Sequence, residues 1–205
     1  MSASEFTTRG DVEAFLQNAG LITTGLLQDS IDRALREADA AIRNYTNQYL
    51  SFVEDDTVTI DGGGRVIFLP QLPVTEVVSI EEDGEALTVT DDYIVGRYGV
   101  IHRVGRRWAT GIQNIVVTYS HGYESIPQDI TDIATRAASR AYQAGLKAAD
   151  TAGVPGVQSK TLGDFSVTFA GDGNIADGLM GASGARLLLM SEKEMLNRYR
   201  LERQL

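Results

Sequence analysis

The chain has 205 residues, enough for one domain with an appendage, and a formal net charge of −10. That charge argues against a protein whose main task is gripping nucleic acid, because phosphate binding needs clustered lysines and arginines. The chain has no cysteine, which excludes disulfides and thiol catalysis and removes the main soft metal ligand. Its amino terminus, MSASEFTTRGDVEAFL, shows no charged start followed by an apolar run, and no apolar run approaches the ~20 residues that span a bilayer. The expectation is a soluble protein made in the cytoplasm, with no membrane partner.

In chain order, Thr8-Arg9-Gly10-Asp11 leads into a short helix with Val12, Phe15 and Leu16 at helical spacing, and Gly20 ends it. A long amphipathic helix follows over about 25–50, with Leu27, Ile31, Ala34, Leu35, Ala38, Ile42, Tyr45 and Tyr49 forming the stripe that seeks a core. The pattern then changes to period two. Thr57 to Asp61 and Arg65 to Leu69 flank Asp61-Gly62-Gly63-Gly64, which reads as a hairpin turn. The prolines of LPQLP break the ladder before a strand from Val74 to Ile80, and Asp83-Gly84 is a second hairpin signal. Tyr93 to Val95, Val100 to Arg103 and Ile112 to Tyr119 complete a small antiparallel sandwich or half-barrel.

Ser125-Ile126-Pro127-Gln128-Asp129 is a helix start, with Ser125 as N-cap, for a second core helix over about 127–149 that buries Ile130, Ile133, Ala137 and Ala141. The fold class is therefore α+β, two partner helices with a β insert between them. The expected organisation is N-terminal core helices over 1–53, the β insert over 54–124, the second core helix over 125–150, a Gly-rich arm over 151–184 and a C-terminal segment over 185–205. The arm holds eight glycines between Thr151 and Gly184. Within it Phe165, Val167 and Phe169 alternate with Ser166 and Thr168, a strand with one apolar face. A lone strand cannot bury that face by itself, so it pairs either with the chain's own sheet or with another subunit. Ser191-Glu192-Lys193-Glu194 reads as a capping box with Ser191 at the N-cap. The helix it opens, preceded by Leu187 to Met190, either docks elsewhere or folds back onto the body.

Charge is unevenly placed. Between Glu54 and Gly96 stand eleven acidic residues and one basic, Arg65; from Arg97 to Arg107 the sign reverses. This describes a solvated surface, complementary faces that meet between subunits, or an acidic wall that keeps DNA from sticking. Chemistry is weakly represented. His121 has Ser120 and Ser125 nearby, but no Gly-x-Ser-x-Gly elbow is present, and a strand-end structural role suits it better. Asp172 to Asp177 lacks the glutamate a calcium loop needs at its twelfth position, and the glycines at 62–64 are followed by no Gly-Lys-Ser/Thr. Trp108 either stacks on a sugar or base or plugs the β core. No enzyme, no metal and no cofactor is expected.

Four segments, in order, resemble the head-to-tail connector (adaptor) proteins of long-tailed phages. They are LPQLPVTEVVSI with DYIV and GVIHR downstream, NIVVTYSHGYESIPQDI, SKTLGDFSVTF, and MSEKEMLNRYR. The resemblance implies a virion neck protein: a twelvefold ring beneath the portal that extends the DNA channel and seats the next neck protein. It further implies a portal-docking segment with Leu189, Met195, Leu196, Arg198, Tyr199 and Arg200. An arm with Lys160, Leu162, Asp164, Phe165, Val167 and Phe169 would reach a neighbouring subunit or the next ring. Glu81, Glu82 and Asp83 are the candidates to face the channel, where contact with viral DNA is passive. The alternative reading is a β module that binds a glycan or host surface with Trp108 as its platform.

Overall fold

The computed structural model describes residues 6–22, 25–151, 159–162, 165–168 and 187–201. The fold is α+β and divides into two compact units. Met1–Ile42 with Asp129–Leu196 forms a helical unit, and Arg43–Gln128 with Asn197–Leu205 forms a β unit.

In the helical unit, α1 (Arg9–Asn18) starts with a reciprocal capping box: Asp11 N–H donates to the Thr8 hydroxyl, and the Asp11 carboxylate accepts from Thr8 N–H. It ends in a Schellman motif, with Gly20 at φ +67° and Leu21 N–H donating to Leu16 O at 2.9 Å. Val12 and Leu16 are buried while Phe15 is 39% exposed, so the stripe on α1 is narrower than expected. Helix α2 (Gln28–Thr46) is shorter than the 25–50 expectation at both ends. Asn47 takes a left-handed conformation at φ +56°, and its N–H closes the last turn on Arg43 O. The chain beyond it leaves the helix, which is why Tyr49 is exposed; Leu27, ahead of the first turn, is exposed as well.

Helix α3 (Gln128–Thr151) begins just after Pro127 and buries Ile130, Ile133, Ala134, Ala137, Ala138, Ala141 and Tyr142. Within the unit, Tyr142 Oη accepts from Leu27 N–H at 3.1 Å and Thr7 pairs with Thr135 through their hydroxyls at 2.7 Å. The strands β8 (Ser159–Leu162) and β9 (Phe165–Thr168) form an antiparallel pair with Lys160 opposite Val167 and Leu162 opposite Phe165. Helix α4 (Met190–Leu196) closes the unit. Its start lies two residues earlier than a Ser191 cap would place it, and Glu192 supplies the cap, accepting from Leu189 N–H at 2.9 Å.

The β unit is a two-sheet sandwich. One sheet has the order β1 (Val53–Ile60), β7 (Ile115–His121), β3 (Val74–Glu82), β4 (Glu85–Ala86); the other has β2 (Val66–Phe68), β6 (Val100–Arg103), β5 (Tyr93–Val95). Their inner faces share one core of Ile67, Leu69, Ile80, Tyr93, Ile101, Trp108, Ile115, Val117 and Tyr119. Asp83-Gly84 makes the expected tight hairpin, both residues at positive φ, joining Glu82 to its partner Glu85.

The triple-glycine segment does something other than expected. Strands β1 and β2 do not pair with each other; β1 pairs with β7 and β2 with β6, so Gly62-Gly63-Gly64 carries the chain from one sheet to the other. Its backbone is stitched to the loop before β7: Gly62 N–H donates to Gly111 O and Asn114 Oδ1, and Trp108 N–H donates to Gly64 O. A Cβ on Gly62 would stand 2.0 Å from Ala109 O, a backbone atom that cannot swing aside. Gly62→Ala is therefore expected to cost about 2–3 kcal/mol, in the range of overpacked sites. Gly84→Ala meets nothing within 4 Å and carries only its positive-φ penalty of about 1 kcal/mol. Urea midpoints of the two variants test the ordering.

Candidate functional site

The C-terminal residues Asn197 to Leu201 lie along the β unit, held by hydrogen bonds to the last turn of α2 and to the residues just beyond it. Tyr45 Oη donates to Asn197 Oδ1 at 2.7 Å, Gln48 Nε2 donates to Tyr199 O at 2.6 Å, and Leu201 N–H donates to Thr46 O at 2.9 Å. Gln48 is 7% exposed, and its other amide atom accepts from Leu72 N–H at 2.8 Å, so one side chain links the C-terminal segment to the proline-containing turn. Tyr199 stands edge-on to Tyr123 with ring centroids 6.0 Å apart, and the Arg200 guanidinium lies 5.5 Å over the Tyr45 ring. Beside this segment is a groove of about 630 Å³. Leu50, Leu72, Val74 and Val77 give it an apolar lining, and Arg97, Arg198 and Arg200 border it against a single carboxylate, Glu76.

The residues expected to dock on a portal therefore divide. Arg198 and Arg200 are exposed and Tyr199 is half-buried, all three on the β unit. Leu189 is 50% and Met195 39% exposed. Leu196 leaves the set: it is fully buried, as are Leu187 and Leu188 just upstream. Arg140 fixes that turn, donating to Leu187 O and to the buried Glu192 carboxylate, the latter at 2.5 Å. Met190, 75% exposed, belongs with the exposed residues and was missed because it reads as part of the apolar run before the helix. Of the arm residues, Lys160, Leu162, Phe165 and Val167 lie on the paired β8 and β9; Asp164, Phe169 and residues 172–177 lie outside the described residues.

The acidic trio also divides. Glu81 and Asp83 are exposed, but the Glu82 side chain is only 4% exposed and faces inward. Its Oε2 accepts from Arg103 Nη2 at 3.1 Å and Arg106 Nη2 at 2.9 Å, and its Oε1 from Ala109 N–H at 2.7 Å. Period-two alternation places Glu82 on the inner face with Ile80, so it leaves the channel-facing set. Arg103, 1% exposed in its side chain, also pairs with Asp92 Oδ1 at 3.1 Å and lies 5.5 Å over the Trp108 ring.

The Thr88 N–H bonded to Asp92, and then Arg103, hold the Asp92 carboxyl below its ordinary value of 3.8. A depressed folded-state pKa stabilises above the unfolded value and loses that contribution as pH falls through the folded one. The wild-type urea midpoint is thus expected to fall from near pH 4 downward, and Asp92→Asn to flatten that acid limb.

His121 is 1% exposed at the end of β7, where Nε2 meets Asp56 Oδ2 at 3.2 Å. Ser120 accepts from Asp55 N–H, and no serine hydroxyl is bonded to His121 among the described residues, so the nucleophile–base–acid set is not assembled. Among the described residues no three His, Asp or Glu side chains cluster as metal ligands, and no helix is long and apolar enough to cross a membrane. Trp108 is 1% exposed and lies within the β core, so it offers no stacking platform and the glycan reading loses its residue.

Residues 5–136 match the family model described as "Head completion protein". The chain belongs to the head completion protein family. The match spans α1, α2, the entire β unit up to α3 and the first part of α3, more than half of the chain. This head completion protein is a structural head–tail connector protein of a virion, not an enzyme. Among solved structures it resembles a chain described as "Neck of empty GTA particle computed with C6 symmetry", with TM-score 0.52 and 15% identity over 100% of this chain and 95% of that one. A second, described as "Neck of native GTA particle computed with C12 symmetry", gives TM-score 0.47 and 13% identity over the same shares. At 15% identity the likeness to the first is one of fold. No curated protein matches the chain.

Proposed function

We propose that this head completion protein assembles as a twelvefold ring beneath the portal, extends the channel through which DNA passes, and seats the next neck protein. The observation that carries the reading is family membership over residues 5–136, with the neck-chain fold in support. The exposed Leu189, Met190 and Met195 of the helical unit and the Arg198 to Arg200 segment of the β unit supply apolar and basic contacts for a portal. The β8–β9 pair is a two-stranded unit, marginal alone in water, and is suited to completion by a neighbouring subunit or the next ring. A net charge of −10 suits DNA passage without adhesion.

Copy number tests this. Quantitative mass spectrometry of purified particles is expected to find this chain and the portal protein in nearly equal amounts. Absence from the particle, or a ratio far from unity, overturns the ring reading.

A further inference from the structure

The two outer faces of the β sandwich differ in kind. On the three-stranded sheet, register places Val66, His102 and Ile94 in one outward row and Phe68 beside Val100 in the next, while Ile67, Ile101 and Tyr93 point inward and are buried. That outward surface is largely apolar, with Phe68 58% and Ile94 52% exposed. Its strands carry no carboxylate, and exposed arginines flank it, Arg65 just before β2 and Arg97 just after β5.

On the four-stranded sheet the outward rows are Thr57, Thr118, Ser79 and Thr59, Val116, Glu81. Those four strands carry seven carboxylates and no lysine or arginine. Glu54, Asp55, Glu81 and Glu85 among them are exposed, as is Asp83 in the adjoining turn.

An antiparallel sheet that ends at water shows polar side chains on its solvent face, as the four-stranded sheet does. A contiguous apolar sheet face marks a contact surface instead. Two copies of the apolar face pressed together would set Arg65 and Arg97 against their own counterparts, and two acidic faces would repel. Apolar face against acidic face pairs each arginine with a carboxylate. These faces lie on opposite sides of one sandwich, so the contact runs head to tail, the geometry that closes into rings.

We propose that the arginine-flanked apolar face of Phe68, Ile94, Val66 and Val100 docks on the threonine- and carboxylate-bearing outer face of the four-stranded sheet in a second copy of this chain. The proposal rests on the ring reading and assigns Glu81 to a subunit contact.

The absence of native cysteine gives a clean cross-linking background. Particles carrying Ile94→Cys together with Thr59→Cys, treated with a flexible bis-maleimide, are expected to give a ladder of multimers on a denaturing gel. Each single variant should stay monomeric. Phe68→Cys with Ser79→Cys is a second pair on the same two faces, should the first impair assembly. Dimers from Ile94→Cys or Phe68→Cys alone would mean that the apolar faces meet each other, which overturns the proposal. No ladder from either pair, in particles whose copy number still matches the portal, would overturn the interface and leave the ring standing. A copy number far from the portal's removes the ring and the interface together.

Discussion

Glu82→Ala is expected to destabilise the β unit by about 3–5 kcal/mol, because it strips a buried guanidinium of its main counter-charge. Both side chains are almost fully removed from water, Arg103 at 1% and Glu82 at 4% exposed, and Arg103 approaches Glu82 through both Nε and Nη2. Losing the carboxylate also orphans Ala109 N–H, which donates to Glu82 Oε1. Asp92 remains as a partner for Arg103, through Oδ1 and its backbone carbonyl, and keeps the cost from rising further. The informative control is Arg106→Ala. Arg106 touches the same carboxylate but is 64% exposed, so its loss is expected to cost no more than about 1 kcal/mol. Urea unfolding separates them: a large fall in midpoint for Glu82→Ala and little change for Arg106→Ala. Equal effects would show that the network is held from the surface and not by the buried pair.

Trp108→Ala is expected to cost about 3–5 kcal/mol, the usual penalty for emptying a buried aromatic site. The ring is 1% exposed, sits in the core shared by both sheets, and covers the Arg103 guanidinium on one side. Trp108→Phe retains much of that volume and removes an indole N–H that has no hydrogen-bond partner among the described residues, so it is expected to cost clearly less. The two variants also decide between a structural tryptophan and a recognition platform. Loss of thermal stability with alanine and substantial recovery with phenylalanine is the structural result. Unchanged stability in both would contradict the burial.

Most elements of this fold are local events, and those were legible. Thr8 to Asp11 opened a helix, Asp83-Gly84 turned a hairpin and the alanine-rich 128–151 segment formed α3, because each depends on a few consecutive residues. Asp61 to Gly64 misled because glycine permits positive φ whether the chain turns back on itself or crosses to a second sheet. Only the partners of β1 and β2, about 60 and 35 residues further on, distinguish the two. The end of α2 was missed for a smaller reason: Asn47 in the left-handed region stops the helix while the apolar periodicity runs on.

The candidate site was legible in part for the same reason. MSEKEMLNRYR announced a terminal helix with a basic end, yet nothing local tells which of its apolar residues turn inward. The structure buries Leu196 and leaves Met190 and Met195 exposed. Composition, the change from period 3.6 to period two and back, and the turn residues between them determined the class of this protein. They also supplied the motifs by which it resembles a connector. Strand order, the inward direction of Glu82 and Trp108, the seating of Tyr199 against Gln48 and Tyr123, and the contrast between the two outer sheet faces were decided by tertiary structure alone. Each depends on which distant segment lies opposite, and a shift of one residue in register would exchange the buried and exposed sets.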